Sequence, residues 1–213
     1  DNFIYKDPID IEKIPLDKLP LLTHLHPLNL WRYQVCKQAD IVLLMFLQSH
    51  DFTEEMRRKI FDFYEPKTIH DSSLSASIHS IVACDIGYRD EAYGYLRQAC
   101  RMDLDNVNRN TGYGIHAACM GSCYMMMVNG FAGMRIYDGR IHFKPYKPEN
   151  WEGYSFKITF RGSLFKAEAE GDKIGYTLLS GEPITVTSGD ETVILGEKGK
   201  TVYASLCGAR EAK

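Results

Sequence analysis

The chain has 213 residues, enough for one large core or two small ones. A hydrophobic fraction of 45% beside 25% charged residues is ordinary for a globular protein. The formal net charge of -3 gives no electrostatic reason to expect nucleic acid or an anionic membrane as partner. No apolar run approaches the roughly 20 residues of a membrane-spanning helix.

The chain opens at Asp1 without initiator Met, signal peptide or basic presequence, the pattern of a segment of a longer polypeptide. Pro8, Pro15, Pro20 and Pro27 make the first 27 residues an extended, wrapping stretch. Trp31, Val35, Val42 and Met45 recur at helical spacing, which predicts a mostly buried helix from about Leu30 to Gln48. A second helix is expected from the Thr53 cap through Tyr64, stopped by Pro66. Further helices are predicted over Ser73–Ile86, ended by Gly87, over Asp90–Met102, and over Ile115–Val128, closed by Asn129-Gly130.

Near residue 135 the apolar period changes from helical to two. Asp138-Gly139 between Met134–Tyr137 and Ile141–Phe143 is a strong hairpin signal. Tyr154, Phe156, Ile158 and Phe160 alternate with polar residues, and short runs follow at Leu164–Glu170, Lys173–Leu179, Ile184–Thr187, Thr192–Leu195 and Thr201–Ser205. The fold class is therefore α then β in two segregated parts, residues 1–133 helical and residues 134–213 a small antiparallel β-sandwich. The six cysteines form no CxxC pair; free thiols are expected, and with them a reducing, cytoplasmic setting. No metal site is read from the sequence.

Three clusters stand out for chemistry. Lys37-Gln38-Ala39-Asp40 falls inside the predicted apolar helix, so at least one polar member should face inward, toward either an ion-pair partner or a ligand. His70-Asp71-Ser72-Ser73-Leu74-Ser75 opens a helix with small hydroxyls, which suits either an ordinary cap or an anion site. Asn110-Thr111-Gly112-Tyr113-Gly114-Ile115-His116 opens another, with two glycines that permit close backbone approach and a histidine in the first turn. His79 reads as a packed side chain, and Tyr93 and Tyr95 as helix surface.

Taken in order, HPLNLWRYQVCKQADIVLLM, FDFYEPKTIHDSSLSASIHSIVACDIG, MDLDNVNRNTGYGIHAACMGS and GFAGMRIYDGRIHFKPYKPENWEGYSFKITFRG resemble glycoside hydrolase family 65, the maltose, kojibiose and trehalose phosphorylase family, from about residue 26 to 162. The resemblance implies the last helices of an (α/α)₆ barrel followed by the C-terminal sandwich. It assigns Lys37 and Gln38 to the glucosyl unit, and Ser72, Ser73, His116 and the backbone near Gly114 to phosphate. Asp40 and Asp71 fall to orienting roles. The implied reaction is inverting phosphorolysis of an α-linked glucose disaccharide to β-glucose 1-phosphate. Inorganic phosphate is co-substrate, and no metal or organic cofactor is implied. The family's general acid, a glutamate in a Pro-Asp-Glu setting, has no match here; Glu12 lacks that context. The missing N-terminal part of the enzyme is thus an expected partner, and a homodimer is possible. A family 65 hydrolase, or a non-catalytic carbohydrate-binding or structural fragment, are the competing readings.

Overall fold

The computed structural model describes residues 3–18 and 20–207, and the chain divides after Met126 into two compact units. The first begins with short 3₁₀ turns at Phe3–Tyr5, Ile11–Lys13, Leu16–Lys18 and Leu21–Thr23. Helices follow: α1 (Pro27–Leu30), α2 (Asp40–Leu47), α3 (Glu54–Tyr64), α4 (Ser75–Ile86), α5 (Arg89–Cys100) and α6 (Ala117–Met125).

The single helix expected over residues 30–48 is broken. Between α1 and α2 the chain spends its backbone groups on distant segments. The Gln34 N–H donates to the Asp7 carbonyl (2.8 Å), the Cys36 N–H to Lys67 (2.7 Å), and the Ile69 N–H to Cys36 (2.9 Å). Such bonds compete directly with the i to i−4 ladder, and Trp31 ends up 65% exposed. By contrast α3 starts as read, with the Thr53 hydroxyl accepting from the Met56 N–H.

Helix α4 is the axis of this unit. It packs against α2, α3, α5 and α6, and nine of its twelve residues are buried, so it is covered nearly all round. Small residues make that approach possible. The Ser80 hydroxyl donates to the Ala92 carbonyl of α5 (2.8 Å) and the Ser77 hydroxyl to Leu74 (2.8 Å), which leaves neither unsatisfied. Val42 and Met45 of α2, Phe61 of α3, and Val82, Ala83 and Ile86 of α4 form the apolar centre.

Asn129-Gly130 does not close the last helix. Beyond α6 the chain continues as a π-helical turn over Met126–Phe131 and stops at Gly133. That residue has φ 61°, and a Cβ there would lie 2.6 Å from the Lys144 carbonyl oxygen, so only glycine fits.

Among its described residues the second unit holds eight strands: β1 (Arg135–Tyr137), β2 (Arg140–Phe143), β3 (Gly153–Phe160), β4 (Ser163–Glu170), β5 (Lys173–Ser180), β6 (Ile184–Ser188), β7 (Glu191–Leu195) and β8 (Thr201–Ser205). They form two four-stranded sheets, β1-β2-β6-β7 and β3-β4-β5-β8. Asp138 and Gly139 are both left-handed, as a two-residue I′ hairpin requires. Ile141, Phe143, Val186, Val193 and Leu195 of one sheet meet Phe156, Phe165, Ala167, Ile174 and Leu178 of the other in a common core. The buried Tyr176 hydroxyl bonds the Ser188 hydroxyl across it (3.0 Å). The sandwich departs from the antiparallel expectation at one place, because β2 and β6 pair in parallel. The chain builds β3, β4 and β5 in the facing sheet before returning, and a crossover of that length permits parallel pairing.

Candidate functional site

The three clusters stand immediately before, or at the start of, alternate helices α2, α4 and α6, and α4 packs against both of the others. Lys37 and Gln38 precede α2 rather than lying within it, and both are exposed. The expected buried charge is therefore absent: the helix break frees both side chains to reach outward, while Ala39 takes the buried position. Gln38 donates through Nε2 to Asp40 Oδ1 (3.2 Å), and Asp40 sits in the first turn of α2, where the helix dipole favours a carboxylate.

Asp71 ties the second cluster to the N-terminal segment. Its carboxylate accepts from the Leu21 N–H (3.2 Å) and the Leu22 N–H (2.9 Å), capping the 3₁₀ turn there. Burial pushes the Asp71 carboxyl above its ordinary range, while the Leu22 and Leu21 N–H groups and the Lys37 ammonium pull the other way. Helix α4 begins at Ser75, two residues later than predicted, because Ser72 and Ser73 form a turn in front of it: the Ser75 N–H donates to the Ser72 carbonyl (3.0 Å). Neither serine is the N-cap residue, which is Leu74, and no side chain caps the helix. Two half-buried hydroxyls thus stand before an uncapped helix start, a suitable setting for an anion.

The third cluster is organised by a residue the sequence did not single out. Asp103 accepts the His116 N–H at Oδ2 (2.9 Å) and faces His116 Nδ1 through Oδ1 (2.5 Å). The bonds to the imidazole and to its backbone N–H hold the Asp103 carboxyl below its usual range. With Nδ1 committed to Asp103, Nε2 is the nitrogen left for a ligand. His116 is the residue before α6 rather than part of its first turn, and no side chain caps that helix either. Gly114 has φ 126° with open space around it, so glycine is needed here for the backbone path and not for a close approach. A separation of 13 residues through an irregular loop carries no periodic signal, which is why Asp103 escapes sequence reasoning.

Behind the second cluster lies a buried aromatic group. His79 packs as expected, against Phe61 and Tyr95, but Tyr95 is not helix surface: its ring lies 5.3 Å from His70 and 5.4 Å from His79. Burial pushes the Tyr95 hydroxyl well up, aided by its 2.6 Å bond to Glu65. Among the described residues no group of three or more His, Cys, Asp or Glu is arranged to hold a metal ion, and no helix is long and apolar enough to cross a membrane. All six cysteines are free thiols.

A family model for the glycosyl hydrolase family 65 central catalytic domain matches residues 1–125, and one for the family's C-terminal domain matches residues 134–195. The chain belongs to glycosyl hydrolase family 65. Among its relatives, an alpha,alpha-trehalose phosphorylase of Thermoanaerobacter brockii is 46% identical over 94% of this chain and 26% of its own length. A maltose phosphorylase of Bacillus subtilis (strain 168) is 34% identical over 92% of the chain and 26% of that protein. A solved structure, a putative kojibiose phosphorylase from human microbiome, superposes with a TM-score of 0.88 at 31% identity, covering 96% of this chain and 28% of that one. The chain thus spans about a quarter of the length of the curated family members it matches.

Proposed function

We infer that this chain supplies the phosphate side and part of the glucosyl side of an inverting α-glucoside phosphorylase. The observation that carries the reading is the alignment of three polar clusters at the starts of α2, α4 and α6, in a family whose relatives are named as disaccharide phosphorylases. Phosphate would sit between the Ser72 and Ser73 hydroxyls, the backbone near Gly114 and Nε2 of His116, with Asp103 holding the ring. Lys37 and Gln38 would hold hydroxyls of the glucosyl unit, oriented by Asp40 and Asp71. A phosphate oxygen bonds to the anomeric carbon as the bond from that carbon to the glycosidic oxygen breaks. The leaving oxygen takes a proton from a carboxylic acid outside this chain, giving β-glucose 1-phosphate and a free sugar.

No metal or organic cofactor enters this chemistry, and the enzyme would work in the cytoplasm. The rest of the catalytic barrel is the partner the helical unit requires, and a homodimer fits the same assembly. Leu44 and Leu47 of α2 and Met120 and Tyr124 of α6 are between 40% and 61% exposed, which is apolar surface that such a partner would cover. The test is kinetic, in the enzyme assembled with its acid-bearing part. Ser73→Ala and His116→Ala should each raise the KM for phosphate about ten- to a hundredfold, the cost of one charge-assisted bond, with the disaccharide KM little changed. Unchanged phosphate kinetics in both variants, or glucose release that needs no phosphate, would defeat the assignment.

A further inference from the structure

His70 has a backbone conformation that needs a reason. Its φ is 52°, in the left-handed region that only a few per cent of non-glycine residues adopt, and it directly precedes Asp71, Ser72 and Ser73. What holds it there is side-chain packing. His70 Nδ1 shares a 2.9 Å hydrogen bond with the Ser75 hydroxyl, and Ser75, the first residue of α4, is 1% exposed. The His70 ring meets His79 at 4.6 Å between centroids, nearly edge to face, and Tyr95 at 5.3 Å. His79 is itself fixed: Nδ1 faces the Ser75 carbonyl (3.0 Å), so that nitrogen carries the proton, and Phe61 closes its other side. Its Nε2 is buried without a hydrogen-bond partner among the described residues. Helices α4 and α5 thus each contribute one ring against His70, and Phe61 of α3 backs His79.

We propose that His70 is a positioning residue: its bond to Ser75 and its clasp by His79 and Tyr95 lock the left-handed backbone that presents Ser72 and Ser73 before α4. The consequence for catalysis rests on the phosphate assignment above, whereas the positioning itself does not. Asp71 gives an independent gauge of the turn, because its carboxylate caps the Leu21 and Leu22 N–H groups.

The experiment measures amide hydrogen exchange and steady-state kinetics on the intact protein with His70→Phe, which keeps a ring but loses the Ser75 bond and tolerates positive φ poorly. Exchange at the Leu21, Leu22 and Ser75 amides should quicken about tenfold or more, with Val82 in the middle of α4 unchanged. His70→Asn should restore slow exchange, since asparagine accepts left-handed φ and can bond the Ser75 hydroxyl. With inorganic phosphate as the varied substrate, the phosphate KM of His70→Phe should rise about tenfold while the disaccharide KM holds. If His70→Phe does not fold, Ser75→Ala, which deletes only the hydroxyl, should give the same local pattern. Unchanged exchange overturns the proposal, as does quickening that includes Val82 or fails to be rescued by Asn, because His70 would then be a stability residue only. Local, rescued quickening with an unmoved phosphate KM upholds the positioning and overturns the phosphate reading instead.

Discussion

Replacing Asp103 by asparagine tests the third cluster without touching any group assigned to the ligand. The carboxylate receives two N–H groups of one residue, the His116 backbone at 2.9 Å and its Nδ1 at 2.5 Å, and both side chains are less than a fifth exposed. An asparagine keeps one oxygen, so it can satisfy one of these donors, but its amino group then faces the other, donor against donor. One charge-assisted bond is lost, and with it the constraint on the imidazole. The ring is then free to turn, and Nε2 no longer points where the anion would lie. The phosphate KM should rise roughly tenfold. Initial rates of phosphorolysis with phosphate and disaccharide varied in turn separate the two constants. Arg101→Ala, which removes only the neighbouring exposed pair with Asp105, serves as control and should leave both unchanged. A phosphate KM within about twofold of the unsubstituted enzyme, or an equal rise in the disaccharide KM, would refute the role given to the pair.

Lys37→Met should depress turnover of the disaccharide while leaving the phosphate KM nearly intact, and full activity would make exposed Lys37 a surface residue only. Gly114→Ala should weaken phosphate binding through the backbone alone, because φ 126° costs a side-chain-bearing residue about 1–3 kcal/mol; unchanged kinetics would show the loop adapts. Burial holds His70 at about 3 and His79 at about 4, with the proximity of His79 a further cause for His70. In the unfolded chain both would titrate near 6.5, so between these values the unfolded state binds more protons. Stability is then full above about pH 6.5 and lost as pH falls toward 4, by roughly 3 kcal/mol for each histidine. Thermal melts from pH 7 to 4.5 should show this fall, and a flat profile would contradict it. Finally, the 213-residue chain assayed alone with maltose, kojibiose or trehalose plus phosphate should be silent and should associate in light scattering, since proton delivery is worth about 10²–10⁴-fold and its apolar helix faces are bare. Enzyme-like glucose 1-phosphate formation by a monomer would overturn that.

What the sequence determined by itself is what short-range physics controls. The period-two runs gave β3 to β8 nearly to the residue, because alternation fixes which side chains reach a two-sheet core. Asp138-Gly139 set its hairpin and Thr53 its helix start, because turn and cap chemistry act over three or four residues. The polar clusters were legible as residue types, and their order carried the family. Tertiary structure decided whatever depends on partners distant in the chain. The apolar spacing across residues 30–48 is helical, yet Asp7 and the 67–69 segment claim the backbone between Tyr33 and Cys36 and break the helix, which brings Lys37 and Gln38 to the surface. The parallel pairing of β2 with β6 follows from where the chain travels between them, which no local pattern records. Asp103 beside His116, and Tyr95 beside His70, are contacts across a loop and between helices. Period and capping describe a residue's own neighbourhood, whereas a site is a meeting of neighbourhoods, and only the folded chain sets the distances between them.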